Sequence, residues 1–181
     1  MKWSILILTQ PSRAESLKRL MRYLEPQAKG KSDMEIVVRD YEPALLIGGN
    51  RQRMREEAAG EYSSFVDDDD LVAPDYVSRI LPLLDGVDYI GWELQCFIDG
   101  HALVPTYHSL RFGGWHEDGK GYYRDLSHVN PIRRELALMM PMSGAWGEDK
   151  RWADGLREKG VVKTEHYIDA VMYYYYARAT N

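Results

Sequence analysis

The sequence is poor in the features that mark secreted and membrane-embedded proteins. It has one cysteine, Cys96, among 181 residues, so no disulfide can form within the chain and a reducing compartment is expected. No apolar run approaches the ~20 residues of a membrane-spanning helix. The apolar stretch at residues 5–8 is too short for the core of a signal peptide. These absences predict a cytoplasmic protein without membrane insertion.

Basic residues are scarce only in the middle of the chain. The net charge is −5, and residues 67–110 hold one basic and nine acidic residues. Residues 1–66 hold 11 basic and 9 acidic residues, and residues 111–181 hold 11 and 10. The two flanks are therefore mildly basic, which is compatible with an acceptor that bears phosphate.

The spacing of apolar residues predicts one α/β domain over residues 1–181. Strands are expected at 3–8, 35–38 and 62–66, and helices at 12–25 and 51–59. We expect Ser12 to cap the first helix and Pro26 to end it. Short alternating units of this kind predict a parallel sheet, in which ligands bind at the carboxyl ends of the strands. Thr9, Asp40 and Asp67 follow the three strands.

The second half of the chain has a different pattern. A helix is expected at 75–84, a strand at 87–92, and a hairpin over 94–104 that turns at Asp99-Gly100. Residues 107–124 are rich in glycine and aromatic residues and predict an antiparallel flap near the acceptor side. Residues 131–139 suit either a strand or a helix. A helix at 149–159 and a strand at 161–176, with four tyrosines at its end, complete the pattern.

Four consecutive carboxylates, Asp67 to Asp70, follow the third predicted strand directly. Four like charges on one turn repel, so some of them must protonate or bind a cation. Carboxylate oxygens suit Mg²⁺ or Mn²⁺, and an Asp-x-Asp pair can share one ion with substrate phosphates. The alternative is a solvated acidic loop.

Several motifs give the chain a resemblance to a known family. They are Gly60-Glu61-Tyr62, then Phe65-Val66 before Asp67-x-Asp69-Asp70, His128-Val129-Asn130-Pro131-Ile132-Arg133-Arg134-Glu135-Leu136-Ala137, and Gly147-Glu148-Asp149. Together, between Trp3 and about Tyr176, they resemble the family 2 glycosyltransferases, and most of all the compact members common in phage genomes. The resemblance implies a GT-A fold, which is a Rossmann-like, mostly parallel sheet flanked by helices. For a phage-encoded chain the expected location is the cytoplasm of the host cell.

The resemblance also implies roles for the acidic residues. Asp69 would be the principal ligand of Mn²⁺ or Mg²⁺, and Asp67 would approach the ion or the donor ribose. His166 is a candidate third ligand, because many GT-A enzymes take a histidine downstream of the base. Asp149 would be the catalytic base, with Glu148 as the next candidate. The alternative for Glu148-Asp149 is a helix cap, where acidic residues are favoured.

Donor binding is expected at the first strand ends. By resemblance, Thr9 and Arg13 would lie beside the nucleobase and Asp40 would accept the uracil N3–H. Arg51 would contact the donor phosphates, and His128 the diphosphate or the acceptor. For Arg13 and Arg51 a solvated helix face is the alternative.

These residues predict a metal-dependent glycosyltransferase that uses a nucleotide sugar, most simply a UDP-sugar, and inverts the anomeric centre. The acceptor would be a hydroxyl group, either of 5-hydroxymethylcytosine in DNA or of a surface glycan. A nucleotidyltransferase is a second reading, although residues 9–13 lack the glycine and lysine of its phosphate loop. A module that binds a nucleotide sugar without turnover is a third.

Overall fold

The computed structural model describes residues 1–177, and its centre is a parallel sheet. Three strands lie in the order β2-β1-β3. They are β1 (Trp3–Thr9), β2 (Met34–Asp40) and β3 (Tyr62–Phe65). Trp3, Ile5 and Leu6 in β1 are fully buried, because helices or loops cover both faces of this central strand. The predicted α/β fold with a mostly parallel central sheet is confirmed.

Helices α1 (Ala14–Ala28) and α2 (Leu46–Glu57) connect these strands. The prediction for the start of α1 was wrong, because Arg13 is the N-cap residue and no side chain caps the helix. The predicted end at Pro26 was also wrong, since this proline lies inside the last turn of α1. α2 begins five residues earlier than predicted and includes Gly48 and Gly49, although a pair of glycines is more usual in a turn.

The chain then forms a short strand, β4 (Leu71–Val72), and a short helix, α3 (Tyr76–Ile80). A helix was predicted over residues 75–84. The α-helix instead gives way to a 3-10 turn at Leu81–Leu83. Pro82 explains the change, because proline has no amide hydrogen to continue the helical hydrogen bonds.

The long strand β5 (Tyr89–Ile98) joins the second half of the sheet to the first. The sequence predicted a strand that ends at residue 92 and a hairpin that begins at residue 94. β5 instead continues through residue 93 without interruption, and a hairpin turn then leads to β6 (His101–Ala102). Asp99 and Gly100 have φ angles of 49° and 81°, as a type I′ turn requires. The predicted turn is confirmed.

Residues 107–124, which we call the flap, contain three short strands. They are β7 (Thr106–His108), which begins one residue before the flap, β8 (His116–Glu117) and β9 (Tyr122–Arg124). β8 and β9 are antiparallel, whereas β7 and β9 are parallel, so the prediction of an antiparallel flap was only partly right. The rings of Tyr107 and His116 both stack on the ring of Tyr123, with centroid distances of 5.5 and 4.9 Å.

The last part of the chain returns to the sheet. Its elements are β10 (Ile132–Arg133), α4 (Arg134–Ala137), α5 (Glu148–Lys159) and β11 (Glu165–Ala177). Residues 131–139 thus contain both a strand and a helix. β11 runs parallel to β5 over its length, with two register shifts between Ile168 and Tyr173, and its end is antiparallel to β4.

Apolar side chains form two buried clusters. One is built around Trp3, Tyr76 and Trp92, and the other around Phe65 and Trp152. Among residues 1–177, we find no helix with the length and apolar character needed to cross a membrane.

Candidate active site

The acidic run, Asp67 to Asp70, follows β3 at the carboxyl edge of the sheet. Its side chains are alternately accessible and buried. Asp68 and Asp70 are buried, with relative exposures of 1% and 0%. The side chains of Asp67 and Asp69 are 27% and 40% exposed. Two carboxylates therefore anchor the turn from inside, and the other two are accessible to a ligand.

Asp68 ties the turn to the end of β1. Its Oδ2 accepts a hydrogen bond from Thr9 Oγ1 at 2.7 Å, and its Oδ1 accepts one from Arg13 Nη1 at 2.8 Å. The same Arg13 nitrogen lies 3.1 Å from Asp69 Oδ2. The structure thus brings Thr9, Arg13 and the acidic run together, as the strand ends predicted.

Asp70 ties the turn to β11. Its Oδ2 accepts a hydrogen bond from the Tyr173 hydroxyl at 2.8 Å, and its Oδ1 accepts one from the Tyr176 amide at 2.8 Å. The Tyr173 oxygen in turn accepts a hydrogen bond from the Asp67 amide at 3.0 Å. Burial, together with the negative charge of Asp67, raises the pKa of Asp70 well above its ordinary value. Sequence analysis missed this role of the tyrosines, because it depends on how β11 is aligned with a turn more than 100 residues earlier.

Arg51 joins the acidic run to helix α5. It lies on α2, is 5% exposed, and donates to Asp67 Oδ1 at 2.6 Å and to Glu148 Oε1 at 2.5 Å. Burial opposes the charge on Arg51, but the two carboxylates outweigh it and raise the pKa of the guanidinium. Burial would likewise raise the pKa of Asp67, yet Arg51 and His128 hold it below its ordinary range.

His128 lies between two carboxylates. Its Nε2 is 3.7 Å from Asp67 Oδ2, and its Nδ1 is 3.6 Å from Asp149 Oδ2. The ring is buried, and neither nitrogen has a hydrogen-bond partner among residues 1–177. His128 is therefore the physical link between the acidic run and the candidate base.

Asp149 lies in the first turn of α5, next to Glu148, but the two carboxylates have different surroundings. Glu148 is buried against Arg51, whereas the side chain of Asp149 is 22% exposed. Asp149 Oδ1 also accepts a hydrogen bond from the Lys150 amide at 2.8 Å, but the N-cap residue of α5 is Gly147 and no side chain caps the helix. Of the two, Asp149 is the carboxylate that a substrate can reach.

The loop before α5 is held close to α2. A Cβ atom on Gly48 would lie 2.6 Å from the backbone of Ser143, so only glycine permits this approach. The Gly48 amide donates to the Gly144 carbonyl at 2.9 Å. Gly147, with a φ of 70°, then turns the chain into α5. These two glycines position Asp149.

The remaining predicted residues lie further apart. Asp40 is paired in register with Thr9 at the ends of β2 and β1, and its side chain is exposed. His166 lies near the beginning of β11, level with Ile90. It precedes Tyr173 by seven residues, a span of about 20 Å along a strand. The structure does not bring His166 to the acidic run.

The accessible carboxylates have the right chemistry for a divalent cation. No group of three or more His, Cys, Asp or Glu side chains within residues 1–177 could hold a metal ion by itself. Mg²⁺ commonly needs only one or two carboxylates, with water and substrate phosphates as its other ligands. Burial and the neighbouring carboxylates raise the pKa of Asp69, against the effect of Arg13. Asp67 and Asp69 therefore fit an ion that a phosphate-bearing ligand helps to hold.

Solved structures share this architecture, although no protein-family model and no curated protein matches the sequence. TarS from S. aureus (residues 1–349) in complex with UDP-GlcNAc has a TM-score of 0.71 at 16% identity, covering 100% of this chain and 60% of that one. Its complex with UDP has a TM-score of 0.72 at 17% identity, covering 97% and 60%. The fold is therefore that of the GT-A glycosyltransferases.

A second enzyme supports the same assignment of the fold. Glucosyl-3-phosphoglycerate synthase from Mycobacterium tuberculosis, in complex with Mg²⁺ and UDP, has a TM-score of 0.59 at 14% identity, covering 95% of this chain and 70% of that one. The present chain spans about 60% of the length of the TarS fragment. The likeness therefore extends over the fold of this chain but not over the whole of those proteins.

Proposed function

We propose that this chain is an inverting glycosyltransferase of the compact, family 2-like type found in phages, and that its donor is a UDP-sugar. The observation that carries the proposal is the row Asp67–His128–Asp149, in which adjacent members are 3.7 and 3.6 Å apart. It places an accessible carboxylate beside an acidic run at the carboxyl edge of the sheet. In α/β sheets this edge is where ligands bind, and the UDP-bound neighbours share the fold.

Asp149 is the base in this proposal. It takes the proton from the acceptor hydroxyl as the acceptor oxygen attacks the anomeric carbon of the donor sugar. The bond from that carbon to the diphosphate oxygen breaks, and UDP leaves with the electron pair. Glu148 is bound to Arg51, so Asp149 has no second accessible carboxylate beside it on α5. One base without a carboxylate nucleophile favours a single displacement with inversion.

Asp67 and Asp69 would hold Mg²⁺ or Mn²⁺ together with the donor diphosphate. A bound ion would supply Lewis-acid stabilisation of the departing diphosphate. Arg51 keeps Asp67 ionised and fixed in position, and Arg13 holds the Asp68 side chain in place through a hydrogen-bonded ion pair. Thr9, Arg13 and Asp40, at the ends of β1 and β2, would surround the uracil.

The acceptor that we rank first is 5-hydroxymethylcytosine in DNA, and a surface glycan is the alternative. The mildly basic flanks are compatible with an acceptor that bears phosphate, and we assign acceptor binding to the flap.

The test is to incubate the protein and Mn²⁺ with a panel of nucleotide sugars and with DNA that contains either cytosine or hydroxymethylcytosine. Nucleosides are then analysed by mass spectrometry, and an oligosaccharide panel is analysed in parallel. We expect hexosylated hydroxymethylcytosine from a UDP-sugar and no product with cytosine. A product on oligosaccharides alone would establish the glycan alternative. Tight binding of UDP without consumption of any donor would identify a binding module instead.

A further inference from the structure

Arg124, at the end of β9 in the flap, is a guanidinium without a counter-charge. It is partly buried, and among residues 1–177 no carboxylate lies within ion-pair distance of it. Within residues 1–177, its side chain donates no hydrogen bond. Its nitrogen atoms are nevertheless accessible to solvent. The nearby Arg157, in contrast, is paired with Asp125 at 3.2 Å and with Asp154 at 2.7 Å.

The surroundings of Arg124 hold it in place without neutralising it. Its guanidinium lies 4.2 Å from the ring centre of Trp115, and the Trp115 indole donates to the Leu126 carbonyl at 3.0 Å. A guanidinium stacked on an aromatic ring keeps its N–H edge free for a planar or tetrahedral anion. Burial lowers the pKa of Arg124, because a charge removed from water is unfavourable until it is paired.

Arg124 is also close to the proposed base. The Trp115 ring under the Arg124 guanidinium also lies 6.0 Å from Lys150 Nζ, and Lys150 is the residue next to Asp149. Asp149 is linked to Asp67 through His128. A hydroxyl compound bound at Asp149 would therefore have both the acidic run and a guanidinium without an ion-pair partner in its neighbourhood.

We propose that Arg124 binds a phosphate group of the acceptor, next to the hydroxyl that Asp149 deprotonates. The part of this statement that concerns Asp149 rests on the proposed function, whereas phosphate binding by Arg124 does not. Guanidinium and phosphate form paired, charge-assisted hydrogen bonds, and such a pair would supply the missing counter-charge. A phosphorylated polyol and a nucleotide both offer this chemistry.

The first experiment measures binding. The protein is saturated with UDP and Mg²⁺, so that the donor site is filled, and is titrated by calorimetry with glycerol 3-phosphate and, separately, with glycerol. We expect glycerol 3-phosphate to bind and glycerol not to bind. Arg124→Gln should weaken the binding of glycerol 3-phosphate by about 10–100-fold, the usual range for a hydrogen-bonded charge. Arg124→Lys keeps the positive charge but loses the paired N–H donors of the guanidinium. This variant should therefore retain part of the affinity for glycerol 3-phosphate.

Arg111→Gln is the matched control. Arg111 is an exposed arginine of the same flap, and its guanidinium lies over Phe112 and Tyr167 rather than over Trp115. This variant should bind glycerol 3-phosphate as the original protein does. Equal weakening by Arg111→Gln, or no binding of glycerol 3-phosphate to the UDP complex, would overturn the proposal. If Arg124→Gln fails to fold, the affinities of Arg124→Lys and Arg111→Gln for glycerol 3-phosphate are compared instead. Weaker binding by Arg124→Lys alone would support the proposal, and equal binding by the two variants would overturn it.

The second experiment measures transfer with acceptors matched for phosphate. The pairs are glycerol with glycerol 3-phosphate, and 5-hydroxymethyldeoxycytidine with its 5′-monophosphate. In the pair that contains the true acceptor type, we expect kcat/KM to be about 10–100-fold higher for the phosphorylated member, and Arg124→Gln should abolish this preference. The Kd for UDP should not change. A raised Kd for UDP would make Arg124 a donor contact and overturn the proposal.

The two proposals fail in different ways. Without any UDP binding or donor turnover, the proposed function fails, while phosphate binding by Arg124 is still measured on the free protein. With donor turnover but no preference for phosphorylated acceptors, only the role of Arg124 fails.

Discussion

Replacing Arg51 with methionine tests whether the ion pairs that hold the candidate site together also stabilise the fold. Arg51→Met keeps an unbranched side chain of similar reach but removes both ion pairs. Glu148, whose side chain is 6% exposed, and Asp67, whose side chain is 27% exposed, would lose their cation. Burying a carboxylate without a partner is costly, because its solvation is lost and nothing replaces it.

The size of the loss follows from these exposures. Removing one partner of a buried ion pair destabilises a protein by about 3–5 kcal/mol, and Glu148 meets that condition. Asp67 is reached by water, so its pair with Arg51 adds less. A loss of about 3–5 kcal/mol is a large share of the 5–15 kcal/mol that stabilises a typical domain. For a chain of this length it lowers Tm by roughly 6–20 °C.

The assay is thermal unfolding followed by circular dichroism, with Arg53→Met as the matched control. Arg53 lies on the same helix and also forms two ion pairs, with Glu42 and Glu57, but it is exposed. We expect Arg53→Met to unfold almost as the original protein does. Equal Tm values for the two variants would refute the argument from burial.

Dependence on pH and a double variant sharpen this test. Arg51 helps to hold the pKa of Asp67 below its ordinary value, so the pair stabilises the fold above about pH 4 and loses that effect as the pH falls further. The difference between Arg51→Met and the original protein should therefore shrink in acid. Adding Glu148→Gln should restore part of the lost stability, because the orphaned charge is removed. Strictly additive losses would show that the two side chains are not coupled.

Three further predictions concern catalysis and the donor. Excess chelator and Asp69→Ala should each abolish transfer while leaving the circular dichroism spectrum unchanged, and full activity in chelator would exclude metal dependence. In crystals soaked with UDP and Mn²⁺, the nucleotide should lie across the ends of β1 to β3 with its base near Thr9 and Asp40, and density elsewhere would contradict the motif assignment. Asp149→Asn should lower turnover by about 10²–10⁴-fold at an almost unchanged Kd for UDP, since it removes a positioned base but keeps an oxygen at the helix start. An increase in that Kd with turnover preserved would make Asp149 a binding or capping residue.

The arrangement of the first three strands could be predicted from sequence because it rests on local signals. Continuous apolar runs separated by helical spacing indicate parallel strands, and the residues after Thr9 and Phe65 then meet at one edge. The boundaries were less predictable. Gly48-Gly49 is a turn signal in isolation, yet Gly48 is helical because α2 must approach Ser143 closely. Tertiary packing overrode the local preference there.

Contacts between distant parts of the chain could not be predicted. The role of Tyr173 depends on the alignment of β11 with a turn 103 residues earlier, for which the sequence carries no local signal. The candidate ligand His166 was chosen by its distance along the chain from Asp149, but strand β11 carries it away from the acidic run. The role proposed for Arg124 could not be predicted either, because an arginine in a flap is usually solvated and only the structure shows that this one lacks an ion-pair partner.

The four tyrosines at 173–176 have a consequence for deletions in β11. In most strands, a gain or loss of one residue turns every following side chain to the opposite face. Here the residue that would move into the place of Tyr173 after a one-residue deletion upstream is Tyr174, another phenol that could donate to Asp70. A slip of two residues would bring Tyr175 to the same position. The backbone amide that serves Asp70 is supplied by any residue other than proline. The repeated tyrosines therefore let the support of the acidic run tolerate the deletion of one or two residues upstream in β11, which a single tyrosine would not allow.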